Sequence, residues 1–261
     1  MVSTPLRVLK VSSIFAIMIG FLVHAFALSL LYRDEWKFRK RVIRLISTYA
    51  QLGNKVLGIQ IFTNHDAPRD KSFLIVGNHL SYTDILVLTV IRPSCFVTSQ
   101  EIRETPVLGQ ICYVAGCVFV ERRNKQNISN EIKEITEALK QGIDVSIFPE
   151  ATSTNGEGIL RFRKPLYTAA IDSKRPVLPM VINYISVDGK MIHKGNRDHV
   201  FWYGDMDFVS HLWNLAQYKE VKVEMTFLPP IPTVNETDPG ELAKISQSAV
   251  ESRFAPVVDI L

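Results

Sequence analysis

Phe73-Leu74-Ile75-Val76-Gly77-Asn78-His79-Leu80-Ser81-Tyr82-Thr83-Asp84 is the stretch on which the fold turns. The apolar run from Phe73 to Val76 lies between the polar pair Asp70-Lys71 and Gly77, the pattern of a buried strand. Ile85-Leu86-Val87-Leu88 follows and predicts a helix, which Ser81, Thr83 or Asp84 can cap. His79 is thereby placed in the turn at a strand's carboxyl end, where open α/β sheets carry their sites. An imidazole titrates near neutrality, so it can take a proton from an attacking group and return it later. A carboxylate on its other ring nitrogen fixes the tautomer, and Asp84 follows five residues on, within reach across such a turn. Spacing alone leaves open the plainer reading of two unrelated surface residues.

On either side of this stretch, strand and helix patterns alternate. Residues 58–62 read as a half-buried strand, and residues 95–98, 116–120, 144–148, 177–182 and 221–228 as further strands. Residues 128–139 carry Ile128, Ile132, Ile135 and Leu139 on one helical face, with Gly142 as a stop. A helix is predicted through Ala169-Ala170, and Pro239 opens a last one over residues 241–254. The alternation predicts an α/β fold with a mixed sheet flanked by helices.

Residues 11–31 are almost wholly apolar and long enough to cross a hydrocarbon core of about 30 Å, so residues 1–32 are expected to form an N-terminal membrane helix. Arg33, Lys37, Arg39, Lys40, Arg41 and Arg44 follow it, which places the carboxyl side in the cytoplasm, at the inner membrane if the source is bacterial. A cleavable signal peptide ending near Ala25-Phe26-Ala27 competes, against the dense positive charge behind it. Whether the segment spans the bilayer or lies in one leaflet stays open. Residues 33–54 predict a basic amphipathic helix with Trp36, Ile43, Ile46 and Ala50 on its apolar face, suited to anionic headgroups; an ordinary surface helix is the alternative. A catalytic domain over 55–235 and a terminal helix and tail over 236–261 complete the division.

The formal net charge of +4, from 30 basic and 26 acidic residues, gives no signal for nucleic acid. Cys95, Cys112 and Cys117 form no Cys-x-x-Cys pair and read as reduced core residues. The histidines have no ligand spacing, so no metal is expected.

Asn78-His79-Leu80-Ser81-Tyr82-Thr83-Asp84 resembles the Asn-His-x-Ser-x-x-Asp motif of the lysophospholipid acyltransferases, the family that includes 1-acylglycerol-3-phosphate acyltransferase. Three more blocks occur in that family's order. Gly116-Cys117-Val118-Phe119-Val120-Glu121-Arg122 is similar to its Gly-x-x-Phe-Ile-Asp-Arg block, Phe148-Pro149-Glu150-Ala151-Thr152 to Phe-Pro-Glu-Gly-Thr, and Val177-Leu178-Pro179-Met180-Val181 to its Val-Pro-Val-rich block. The resemblance implies a glycerolipid acyltransferase-like fold and transfer of a fatty acyl chain from acyl-CoA or acyl-carrier protein to the free hydroxyl of a lysolipid. 1-Acylglycerol-3-phosphate is the acceptor it points to first, giving phosphatidic acid. It makes His79 the general base and Asp84 its holder. Ser81, Arg122, Glu150, Ala151 and Thr152 are placed at the substrate, and no cofactor is implied beyond the acyl thioester.

Departures from the family pattern bear on the acceptor. Ala151 stands where that family commonly has glycine, Ser153 where it has arginine, and Ser99-Gln100-Glu101 where a lysine is frequent. The donor fork suited to a phosphate is therefore missing at Ser153, and Arg123, Arg161, Arg163 or Lys164 can substitute for it. Residues 148–167, with Phe201-Trp202-Tyr203-Gly204-Asp205-Met206, resemble a branch that includes lyso-ornithine lipid acyltransferases, which makes an aminolipid the alternative acceptor. Two readings of other classes stand beside these: a hydrolase using Ser81, which lacks a Gly-x-Ser-x-Gly elbow, and a non-enzymatic lipid-binding protein.

Overall fold

In the computed structural model, which describes residues 1–64, 68–121, 128–234 and 237–259, the periodic segments become alternating strands and helices. Two long helices, α1 (Thr4–Leu31) and α2 (Glu35–Leu57), precede β1 (Ile59–Thr63), β2 (Leu74–Gly77), α3 (Thr83–Ile91) and β3 (Cys95–Ser99). The chain continues through α4 (Gln100–Arg103), α5 (Leu108–Val114), β4 (Val118–Val120), α6 (Ile128–Lys140), β5 (Val145–Ile147) and α7 (Thr168–Ser173). It finishes with β6 (Val177–Val187), β7 (Lys190–Met191), α8 (Phe208–Leu215), β8 (Val221–Phe227) and α9 (Pro239–Glu251).

Among the described residues the strands form one mixed sheet in the order β1-β8-β6-β2-β5-β3-β4, with β7 as a hairpin on β6. β6, β2, β5, β3 and β4 are mutually parallel, while β8, with β1 beside it, runs against them. Every residue of β2 is buried, as expected of a central parallel strand covered on both faces. Its side chains alternate between two cores: Ile75 joins Leu88, Met180 and Met225, while Leu74 and Val76 join Ile135, Ala170 and Val181. At Gly77 a Cβ would lie 2.7 Å from the Met180 carbonyl oxygen, so no side chain fits there.

Several expectations change in detail. The helix after the histidine turn begins at Thr83; its N-cap residue, Tyr82, supplies no side-chain bond, the Ser81 hydroxyl accepts the Thr83 N–H, and Asp84 turns back onto the turn itself. β6 extends to Val187, well past its pairing of Met180 with Gly77, since β8 supplies a partner along the whole length. Cys95 is buried and Cys112 and Cys117 half-buried, and all three are free thiols.

The apolar face of α2 was expected to sit in lipid headgroups; protein covers it instead. Val42 packs with Phe21, Ala25 and Ala115, Ile43 with the core around Ile135, and Leu57 with the core around Ile75. Arg39 pairs with Glu134 of α6 at 2.9 Å, leaving Lys40, Arg41 and Arg44 exposed. α1 is a 28-residue helix whose most apolar 18-residue window has a mean hydropathy of 2.5, long and apolar enough to cross a membrane. One of its faces is covered at Ile14, Phe21 and Ala25, and the other exposes Leu9, Ile19, Val23, Phe26 and Leu30. Near its start, Arg7 donates to the Trp213 carbonyl at 2.5 Å and Lys10 to the Tyr218 carbonyl at 2.6 Å. Both halves of α1 therefore rest on the same globular domain. Residues on both sides of the divisions expected at 32, 54 and 235 share these cores, Leu242 and Val250 of α9 included.

Candidate active site

Because β2 and β5 are parallel neighbours, the segments that follow them, with His79 and Glu150, emerge at the same end of the sheet. The long β6 runs past that end and flanks the turn on its other side. Asn78 ties the turn to β6 like an extra backbone unit: its amide donates to the Ile182 carbonyl and its oxygen accepts the Ile182 N–H, both at 2.9 Å. Three more backbone contacts fix the turn. The His79 N–H donates to Glu150 Oε1 at 2.8 Å, the Thr154 N–H to the His79 carbonyl at 2.9 Å, and the Trp202 N–H to the Leu80 carbonyl at 2.9 Å.

Asp84 is fully buried and receives four donors. Oδ2 accepts from His79 Nδ1 at 2.8 Å, the Leu80 N–H at 2.7 Å and the Ser81 N–H at 2.9 Å, and Oδ1 accepts the Tyr184 hydroxyl at 2.7 Å. A carboxylate only accepts, so Nδ1 carries the proton and Nε2 is left as the lone-pair nitrogen. The His79 ring lies flat on Phe148, with centroids 4.0 Å apart and planes 8° apart. Its side chain is 17% exposed, and Nε2 has no hydrogen-bond partner among the described residues. The result is an oriented base with its reactive nitrogen facing out, able to take a proton from a bound hydroxyl.

The remaining predicted residues separate into those that hold the turn and those that face solvent. Glu150 is 3% exposed, and both its oxygens accept backbone N–H groups, from His79 and, at 2.7 Å, from Leu160. The expectation that it contacts a headgroup is corrected: it braces the histidine turn. Burial pushes its pKa up to about 7, the two N–H donors pull the other way, and the nearby Asp84 adds to the rise. Ser81 is fully buried, with its hydroxyl accepting the Thr83 N–H at 3.4 Å, so it faces neither a substrate nor an attacking geometry and the hydrolase reading loses its nucleophile. Ala151 adopts φ +61°, the left-handed conformation that glycine takes more easily. Thr152 is exposed, its hydroxyl donating to the Ser153 carbonyl.

Arg161 and Arg163 are both exposed, with Phe162 buried between them, and the Arg163 N–H donates to the Pro149 carbonyl at 2.9 Å. That bond lays the segment alongside the Glu150 loop. Arg122 and Arg123 lie outside the described residues. Sequence reasoning missed Tyr184 and the Phe148 stack. Phe148 stood within a quoted motif, whereas nothing local marks Tyr184, which lies 100 residues from Asp84.

The architecture is that of a known class of lipid enzymes. The structure of the 1-acyl-sn-glycerophosphate acyltransferase PlsC from Thermotoga maritima superposes with a TM-score of 0.67 over 94% of this chain and 93% of that one, at 22% identity. The profile of the acyltransferase family matches residues 58–183, the span that holds His79, Asp84 and Glu150. A lyso-ornithine lipid O-acyltransferase of Pseudomonas aeruginosa is 32% identical over 200 residues, 74% of this chain and 72% of that protein. A 1-acyl-sn-glycerol-3-phosphate acyltransferase of Neisseria meningitidis is 29% identical over 214 residues, 80% and 82% of the two chains. This chain belongs to the acyltransferase family and is an acyltransferase of lipid metabolism.

Proposed function

We propose that the protein transfers a fatty acyl chain from a thioester, acyl-CoA or acyl-carrier protein, to the free hydroxyl of a lysolipid. The leading acceptor is 1-acylglycerol-3-phosphate, with phosphatidic acid as product. The observation that carries the chemistry is His79, with Nδ1 committed to Asp84 and Nε2 open. Nε2 takes the hydroxyl proton as the oxygen attacks the thioester carbonyl; the tetrahedral intermediate then expels the thiolate, which receives the same proton. An ester and a thiol result, with no covalent enzyme intermediate. Arg161 and Arg163 support the binding of an anionic group beside the Glu150 loop. Purified protein offered mixed lysolipids and acyl thioesters should form the diacyl product; no product with any acceptor would sink this reading.

A lyso-aminolipid acceptor is the second reading. Ser153 in place of an arginine favours it, as does the 32% identity with the Pseudomonas aeruginosa lyso-ornithine lipid O-acyltransferase. The two are separated by initial rates on the two acceptors in the same detergent.

The protein is proposed to work at the cytoplasmic face of a membrane. Both halves of α1 rest on one globular domain, which supports a helix lying within a single leaflet, its Leu9, Ile19, Val23, Phe26 and Leu30 face in acyl chains and Lys40, Arg41 and Arg44 toward anionic headgroups. In intact cells an impermeant thiol reagent should then label neither Ser3→Cys nor Arg33→Cys from outside. Labelling of Ser3→Cys alone would show that the helix spans.

A further inference from the structure

Asp84 has two oxygens, and only Oδ2 serves His79. Oδ1 receives the Tyr184 hydroxyl at 2.7 Å, and the same hydroxyl lies 2.5 Å from Thr83 Oγ1. Asp84 and Thr83 have no exposure and Tyr184 has 7%, so no water competes for these bonds. The phenol has one proton and an ionised carboxylate can only accept. Tyr184 therefore donates to Asp84 and receives from Thr83, which gives a directed relay of hydrogen bonds from Thr83 through Tyr184 to the carboxylate. Burial holds the Tyr184 phenol protonated by pushing its pKa well above the ordinary value, and the adjacent Asp84 carboxylate adds to the rise.

The terminal torsion of an aspartate is broad and twofold, and the two turn amides both bond Oδ2, so contacts through that oxygen alone would leave its plane loosely defined. The second anchor comes from another strand. β6 overruns the end of β2 and so carries Tyr184 to the far side of the carboxylate, which fixes the plane in which His79 Nδ1 must lie. We infer that Tyr184 is the positioning residue of the His79–Asp84 pair, setting the carboxylate plane and hence the aim of His79 Nε2, and drawing off part of the charge that the imidazolium meets. This rests on the reading of His79 as the base. The other titratable groups close by are Tyr82 on the turn and Glu150 behind it; both are held by their own partners, His211 for Tyr82 and the two backbone amides for Glu150.

The test is steady-state acyl transfer by the full-length enzyme carrying Tyr184→Phe, followed over pH. A hydrogen bond to a charged group of this kind corresponds to a loss in kcat of about tenfold, with both KM values within about twofold of wild type. Without the phenol the carboxylate keeps more charge and stabilises the imidazolium better, so the acidic limb of the pH–rate profile moves to higher pH. Thr83→Val, which leaves the bond to Asp84 intact, produces a smaller change in the same direction. Should Tyr184→Phe fold poorly, the Thr83→Val/Tyr184→Phe pair removes both hydroxyls and so leaves no orphaned hydroxyl beside the carboxylate, and it should show the same lowered kcat and moved limb. Wild-type kcat in Tyr184→Phe, or a lowered kcat that tracks a lowered Tm with an unmoved acidic limb, overturns the assignment. His79→Ala is run alongside: full activity there would bring down the base reading itself, whereas an inactive His79→Ala with a wild-type Tyr184→Phe removes only the role of Tyr184.

Discussion

The two ends of β2 are held by two carboxylates, Asp144 half-buried and Asp84 fully buried, that differ in what their partners leave free. At the amino end, Asp144 accepts the Phe73 N–H at 2.7 Å and the Arg92 guanidinium at 2.7 Å, and Arg92 also donates to the Pro68 carbonyl at 2.6 Å and lies over the Phe73 ring. At the carboxyl end, Asp84 accepts the Leu80 and Ser81 N–H groups and the His79 imidazole. Both anchor backbone next to the strand. Asp144, however, meets a cation that never deprotonates, whereas Asp84 meets a ring with one nitrogen left unused. A carboxylate whose partner is saturated keeps the fold together; one whose partner has an open nitrogen can do chemistry.

The contrast breaks most directly at the two partners. His79→Ala should lower kcat/KM by about 10²- to 10⁴-fold in an acyl-transfer assay while leaving Tm close to wild type. Asp144→Ala should do the reverse. It strands Arg92, which costs about 3–5 kcal/mol of unfolding free energy in denaturant titration, while the activity per folded molecule is retained. Equal loss of stability in the two variants would abolish the distinction.

A further prediction concerns pH. The pKa of Glu150 is raised from 4.5 to about 7 in the fold, so its contribution to stability is fully present below about pH 4.5 and is lost as pH rises through 7. Burial lowers His211 from 6.5 to about 4, so its contribution is present above about pH 6.5 and is lost as pH falls toward 4. The slopes oppose each other over most of that range, each on the order of 3 kcal/mol in total. Thermal unfolding of the wild type should therefore vary little between pH 4.5 and 6.5, with Glu150→Gln unmasking a rise with pH and His211→Asn unmasking a fall. Parallel curves for all three proteins would contradict it. The smallest effect is expected at Ala151→Gly. Relief of the positive φ is worth about 1–2 kcal/mol and is partly offset by the freer unfolded chain, for a net gain below about 1 kcal/mol at unchanged activity.

What could be read from the sequence was what is local. The run from Phe73 to Val76, the turn and the helix after it are set by neighbours in the chain, and the His79–Asp84 contact spans only five residues. The strands were visible as apolar runs for the same reason. What escaped depends on pairing across the sheet. Tyr184 reaches Asp84 only because β6 is longer than β2 and is supported along its length by β8. Asn183-Tyr184-Ile185-Ser186 carries no apolar run to announce that extension. Glu150 was found by motif but its direction was not, because a carboxylate that accepts two backbone amides and one that meets a headgroup look the same in sequence. The apolar face of α2 was likewise visible, though not that α1, α5 and α6 would cover it.

Ile14, Phe21 and Ala25 of α1 are as deeply covered as residues of the sheet, and their partners include Leu57, Val42 and Ala115. The helix long and apolar enough to cross a membrane is thus also part of the interior wall. A shortened version starting at α2 would uncover an apolar seam along α2 and α5.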